Sequence, residues 1–248
     1  MTEQEWLQAT DPKPMLEFLQ GKVSDRKWRL YLCGGCRHIS HLFFRPWSLT
    51  AVEVAERFAD GQATQYELNR AEYSAEAASF GYELDNQRFS PSHPYRMEVV
   101  PRLVEIGALP ESSLSGGEWE VDEVTRRSLV SAASLAECCA RIDAPSSFSW
   151  WYEWISCVNW PGRWLVDCVF GNPFRPVALK PSLLTWHGGL PVSMARQIYD
   201  SRDFTDMSVL ADGLEEAGCQ DQDILSHCRS GGEHVRGCWV VDMVLGKK

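Results

Sequence analysis

VRGCWVVDMVL, residues Val235–Leu245, is the stretch whose reading decides the fold. It is apolar nearly all round, so periodicity alone fits a buried helix and a buried strand equally well. Its surroundings tip the balance. Apolar character alternates with period two nowhere else, and there is no strong hairpin signal, whereas helical spacing recurs throughout the chain. The segment therefore reads as a helix and the chain as all-α: a multi-helix bundle or short helical array, open to division into two subdomains.

Working back from it, Asp221 or Gln222 opens a short helix through Ile224, Leu225 and Cys228. Before that, Leu210, Leu214 and Ala217 line one amphipathic segment, with Asp212, Glu215 and Glu216 opposite and Gly218 closing it. Val192, Ala195, Ile198 and Tyr199 line another. Trp164, Leu165, Cys168 and Val169 make a short helix that Gly171-Asn172-Pro173 ends. Helical spacing also runs through Trp151, Trp154, Ile155 and Val158. In VDEVTRRSLVSAASLAECCARI, Leu129, Ala132, Ala133, Ala136 and Cys139 share one face, which makes Cys139 a small core residue.

At the other end, Asp11 and an early proline open a short helix over PKPMLEFLQG. Ser24-Asp25 opens a longer one, with Trp28, Leu32, Gly35, Ile39 and Leu42 on one face to about Phe44, where Arg45-Pro46 stops it. Thr50 and Glu53 suggest a capping box for the next helix, which Asp60-Gly61 ends. A third spans about Thr64 to Phe80. The expected organisation is an N-terminal helical region over 1–80, a loop-rich connector over 81–118 with one short helix near Val99–Ile106, and a C-terminal helical region over 119–248.

The chain has 248 residues, is 44% hydrophobic and 23% charged, and carries a formal net charge of −10. That length buries a sizeable core. The charge disfavours nucleic acid and anionic membranes, since phosphate contacts need clustered Lys and Arg; Arg26, Lys27 and Arg29 form the best basic patch. No apolar run approaches the roughly 20 residues of a spanning helix, and the first residues lack a basic, then apolar, leader pattern. The expectation is an acidic cytoplasmic protein. Nine cysteines, an odd number with two adjacent, do not suit a secreted disulfide framework. Eleven tryptophans suit large contacts between helices.

Two cysteine–histidine groups carry the chemical questions. Cys33-x-x-Cys36-x-His38-x-x-His41 has the spacing of a zinc half-site. The other half would come from the C-terminal group of Cys228, His234 and Cys238. The candidate metal set is Cys33, Cys36, His234 and Cys238, with zinc as the cofactor, joining the two ends of the chain. A nucleophilic arrangement would use Cys228 or Cys238 with His234, oriented by Asp242. His187-Gly188-Gly189 has no G-x-S-x-G partner and reads as a turn; nucleotide-binding and HExxH signatures are absent. Asn172-Pro173-Phe174-Arg175-Pro176 forms a rigid loop, with Phe174 as an anchor and Arg175 as a carboxylate binder. Arg229, His234 and Arg236 are polar groups at the edge of the apolar C-terminal core. With Phe174 and Arg175 they form the candidate binding set.

DPKPMLEFLQGKVSDRKWRLYLCGGCRHISHLF with VEVAERFADGQAT, and then VFGNPFRPVALKPSLLTW, ADGLEEAGCQDQDILSHCR and HVRGCWVVDMVLGK, resemble a paralogous family of planctomycete proteins, some carrying the label SMI1/KNR4 family. The resemblance covers both ends of the chain. The label implies a binding or immunity-type module. In that family the CGGC position looks like a richer cysteine cluster, and Gly35 stands here in place of a further cysteine.

Together these readings point first to a non-enzymatic helical module that acts by binding another protein, with no catalytic residue assigned. The alternative is a zinc-stabilised binding module; a Cys-dependent hydrolase comes third.

Overall fold

The computed structural model describes residues 1–80, 94–115, 121–141 and 155–248. Among them are thirteen α-helices and no strand, so the all-α reading holds. Trp151 and Trp154 lie outside the described residues. The contacts divide the chain into two compact units, residues 1–31 with 161–248, and residues 32–160.

The first unit begins with α1 (Glu3–Gln8), where Thr2 and Glu5 form a capping box. In α2 (Pro12–Leu19), Asp11 accepts from the Lys13 amide and Pro12 takes the first position, where its missing N–H costs nothing. Helix α3 (Asp25–His38) contributes residues up to Tyr31 to this unit and the rest to the other. There follow α8 (Arg163–Phe170), α9 (Pro181–Thr185), α10 (Leu190–Ser201), α11 (Met207–Glu216), α12 (Gln222–Arg229) and α13 (Trp239–Val244). Their shared core includes Ala195, Ile198, Leu210, Leu214, Ile224, Leu225, Val240 and Val241, all at most 2% exposed. Of the final segment, residues 235–238 are the turn that leads in, and Trp239–Val244 is thus a buried helix. Its apolar girdle has core on several sides, while Asp242, also buried, is held by Arg26 and Lys27.

Helices α4 (Pro46–Ala59), α5 (Gln65–Ser79) and α7 (Glu123–Ala140) pack on one another in the second unit. Leu129, Ala132, Ala133, Ala136 and Cys139 are all buried, as the periodicity of α7 requires. Val99 and Leu103 of α6 (Pro94–Glu105) join Phe44, Leu109, Val121 and Leu129 in a second cluster. Glu56 on α4 is 1% exposed and accepts two hydrogen bonds from the Arg37 guanidinium, at 2.6 and 2.8 Å. A buried carboxylate needs such a fork, because its desolvation is otherwise uncompensated.

Two boundaries differ from those read in the sequence. Helix α3 ends at His38, and a short 3₁₀ turn, Ser40–Leu42, follows it. Pro46 starts α4 rather than merely ending what precedes it, with Arg45 extended before it. Thr50 is therefore inside the helix, bonding back to the Pro46 carbonyl at 3.1 Å instead of capping.

Candidate metal centre

Four side chains converge in the first unit. Cys168 comes from α8 and His227 from the last turn of α12. His234 lies on the loop after α12, and Cys238 is the residue before α13. One ligand atom from each lies within 4.8 Å of every other. The Cys238 Sγ is 3.3 Å from His227 Nε2 and 3.8 Å from His234 Nδ1. Cys168 Sγ is also 3.8 Å from His234 Nδ1. Zinc–sulfur and zinc–nitrogen bonds meeting at the tetrahedral angle give ligand–ligand edges of about 3.3–3.8 Å. The three edges fit.

Local structure explains the convergence. The chain turns at Gly237, whose φ of +96° is left-handed, and a Cβ there would meet Leu30 Cβ at 2.8 Å. Glycine alone satisfies both conditions. Lys27 then ties the turn down, donating to the Gly237 carbonyl at 2.7 Å and to the Val169 carbonyl at 3.0 Å. Those carbonyls belong to the residue before Cys238 and the residue after Cys168. The same ammonium lies 2.7 Å from Asp242, which Arg26 grips through both carboxylate oxygens. Rings complete the surround: Trp239 lies 5.3 Å from His227, and Phe204 stacks on His234 at 6.3 Å.

Cys168 and Cys238 are 1% and 0% exposed, and the two histidines are half-buried. Burial by itself raises the Cys238 thiol, but hydrogen bonds from Cys168, His227 and His234 outweigh it and hold this thiol well below its ordinary range. Cys168 beside it is pushed well up, by its interaction with Cys238 and by burial. A lowered thiol suits a metal ligand, which binds as the thiolate.

His234 and Cys238 of the anticipated metal set are together, and their companions here are Cys168 and His227. Cys33 and Cys36 belong to the second unit. There Cys36 Sγ is 3.5 Å from Cys139 Sγ, and Cys33 Sγ faces the Val52 carbonyl at 3.8 Å. Gly35 between them has a reason of its own: a Cβ there would fall 2.1 Å from the Trp160 ring. Cys228, next to His227, turns the other way into the core at 3% exposure, where burial raises its thiol pKa.

The remaining candidate residues are engaged within the first unit. Phe174 stacks on Phe18 at 5.0 Å and meets Trp6 edge-on, while its amide donates to the Asn172 side chain. Arg175 pairs with Glu3 and, at 3.7 Å, with Asp223. Arg229 bridges Asp212 and Glu215 on α11. Arg236 is 8% exposed and lies over the Tyr199 ring at 4.6 Å.

No family model, curated protein or solved structure matches the chain. No described helix is long and apolar enough to cross a membrane.

His227-x6-His234-x3-Cys238 is visible in the sequence. Cys168, in an apolar helix far upstream, gives no local signal.

Proposed function

We propose that this protein is a zinc-stabilised, non-enzymatic helical module, with Zn²⁺ held by Cys168, His227, His234 and Cys238. The single observation behind this reading is the mutual approach of the four ligand atoms to within 4.8 Å. Two sulfurs and two imidazole nitrogens, a donor set that suits a tetrahedral site, favour zinc over harder cations. Four protein ligands leave no position for a substrate or an activated water, which makes the role structural. The ion would tie α8, α12 and the start of α13 into one block.

On this reading the second unit, separate from the metal-held block, serves contact with another protein. Exposed tyrosines support that half of the proposal: Tyr66 and Tyr73, 74% and 78% exposed, stand seven residues apart on one face of α5.

Elemental analysis of gently purified protein tests the metal reading. About one zinc per chain is expected, falling to background in the Cys168→Ser/Cys238→Ser double variant. Absence of stoichiometric metal in the wild type, or full retention in the double variant, removes the proposal. Cobalt substitution should give the intense visible bands of a tetrahedral thiolate site.

A further inference from the structure

Residues 176–180, between α8 and α9, run without helix or turn. Exposure alternates along them: Pro176, Ala178 and Lys180 are exposed, whereas Val177 and Leu179 are half-buried against the core of the first unit. Side chains two residues apart share a face only where the backbone is extended. Pro181, the first residue of α9, keeps Lys180 extended before it, at φ −67° and ψ 135°. The segment is a strand-like run in an otherwise helical unit.

No second strand accompanies it among the described residues. Among those residues, too, the amides and carbonyls of Val177, Ala178 and Leu179 make no hydrogen bond. Three successive residues with both backbone groups open form the kind of edge to which an extended peptide adds. Val177 also lines a cleft of ≈ 570 Å³, together with Phe170, Trp239 and Met243. A Cβ at Gly171 would meet the Trp239 ring at 3.1 Å, so this part of the cleft is set by packing against backbone. In an added peptide, a side chain on the same face as Val177 falls beside that cleft, and its neighbours point outward beside Ala178 and Lys180.

Charge decides what lies opposite the end of the run. Lys180 is exposed and forms no ion pair among the described residues. Opposite charges facing each other across two strands attract, and like charges repel. The same segment of a second copy, Pro-Val-Ala-Leu-Lys, contains no acid to offer.

We infer that residues 176–180 bind a segment of another protein as an added strand, with an apolar side chain in the cleft beside Val177 and an acidic one opposite Lys180. This contact lies in the first unit and is distinct from the one proposed for the tyrosines of α5.

Fluorescence anisotropy of labelled Glu-Val-Glu-Leu-Glu and Lys-Val-Lys-Leu-Lys with the full-length chain tests this. The glutamate peptide should bind about 3–5-fold more tightly than the lysine peptide, and Glu-Ser-Glu-Ser-Glu should not bind. Lys180→Glu changes only an exposed side chain and should reverse the preference. Methylating alternate backbone nitrogens gives two forms of the glutamate peptide. Because a strand pairs through alternate residues, one form should lose about 10-fold or more in affinity and the other should keep it. Hydrogen exchange of the amides at 177–179 should be fast in the free chain and slowed by the bound peptide. No binding of the glutamate peptide, equal effects of the two methylation patterns, unprotected amides in the complex, or a preference unmoved by Lys180→Glu overturns the inference. So does protection of these amides that rises with protein concentration alone, which would make a second copy the occupant. Zinc content measured on the same samples separates failure of this site from loss of the metal centre.

Discussion

The Lys27 ammonium donates to the Gly237 carbonyl at 2.7 Å, so a residue near the start of the chain holds the turn that presents Cys238. With Val169 and Asp242 as its other acceptors, Lys27 braces the backbone beside both cysteines of the candidate metal centre. Lys27→Met removes a buried charge partner and strips a donor from two carbonyls. The expected loss of stability is about 2–4 kcal/mol, with Asp242 still held by Arg26. Zinc affinity should fall about 10–100-fold, as when an outer partner of a metal ligand is removed. Denaturant unfolding and competition with a zinc chelator measure the two effects separately.

Removing a ligand acts more directly. Cys238→Ser or His227→Ala should abolish stoichiometric zinc. Chelation should lower the Tm of the wild type while leaving the Tm of either variant nearly unchanged, because the metal's contribution is already gone. An equal response of wild type and variants to chelator would contradict the assigned ligands.

Burial pushes the thiols of Cys36, Cys138 and Cys139 above their ordinary value of 9.0. Above pH 9 the unfolded chain releases these protons while the folded chain keeps them. Stability therefore falls as pH rises, by up to about 1.4 kcal/mol per pH unit for each thiol. Below pH 9 these groups contribute no slope. Denaturant titrations at pH 7.5, 9 and 10 should show the decline. A Cys36→Ala/Cys138→Ala/Cys139→Ala variant should show a shallower one.

Gly35→Ala places a Cβ on the Trp160 ring, at 2.1 Å, within a unit whose core surrounds the helix. Overpacking of this kind costs about 1–3 kcal/mol. Gly61→Ala meets nothing within 4 Å but keeps a left-handed φ of +70°, so it should cost only the backbone strain of about 1–2 kcal/mol. Restoring room by Trp160→Ala should reduce the cost of Gly35→Ala and leave that of Gly61→Ala unchanged. A double-mutant cycle reads that difference.

By itself the sequence determined the helices and most of their buried faces, because burial of an apolar stripe every 3.6 residues leaves its period in the chain. The face of α7 through Leu129, Ala132, Ala136 and Cys139 is such a case, as is the Asp11 cap of α2. It also exposed His227, His234 and Cys238 as a local group. Only the tertiary structure decided the rest. Cys168 looks like any small core residue along α8, and it reaches the histidines because α8 packs on α13 in the first unit. His227 rather than Cys228 faces the cluster because adjacent helical residues point about 100° apart, and packing of Ile224 and Leu225 settles which one turns inward. Val235–Leu245 could not choose between helix and strand by pattern, being apolar on every side. Its choice follows from where Asp242 must go: beside Arg26 and Lys27, charges that lie more than two hundred residues away in sequence.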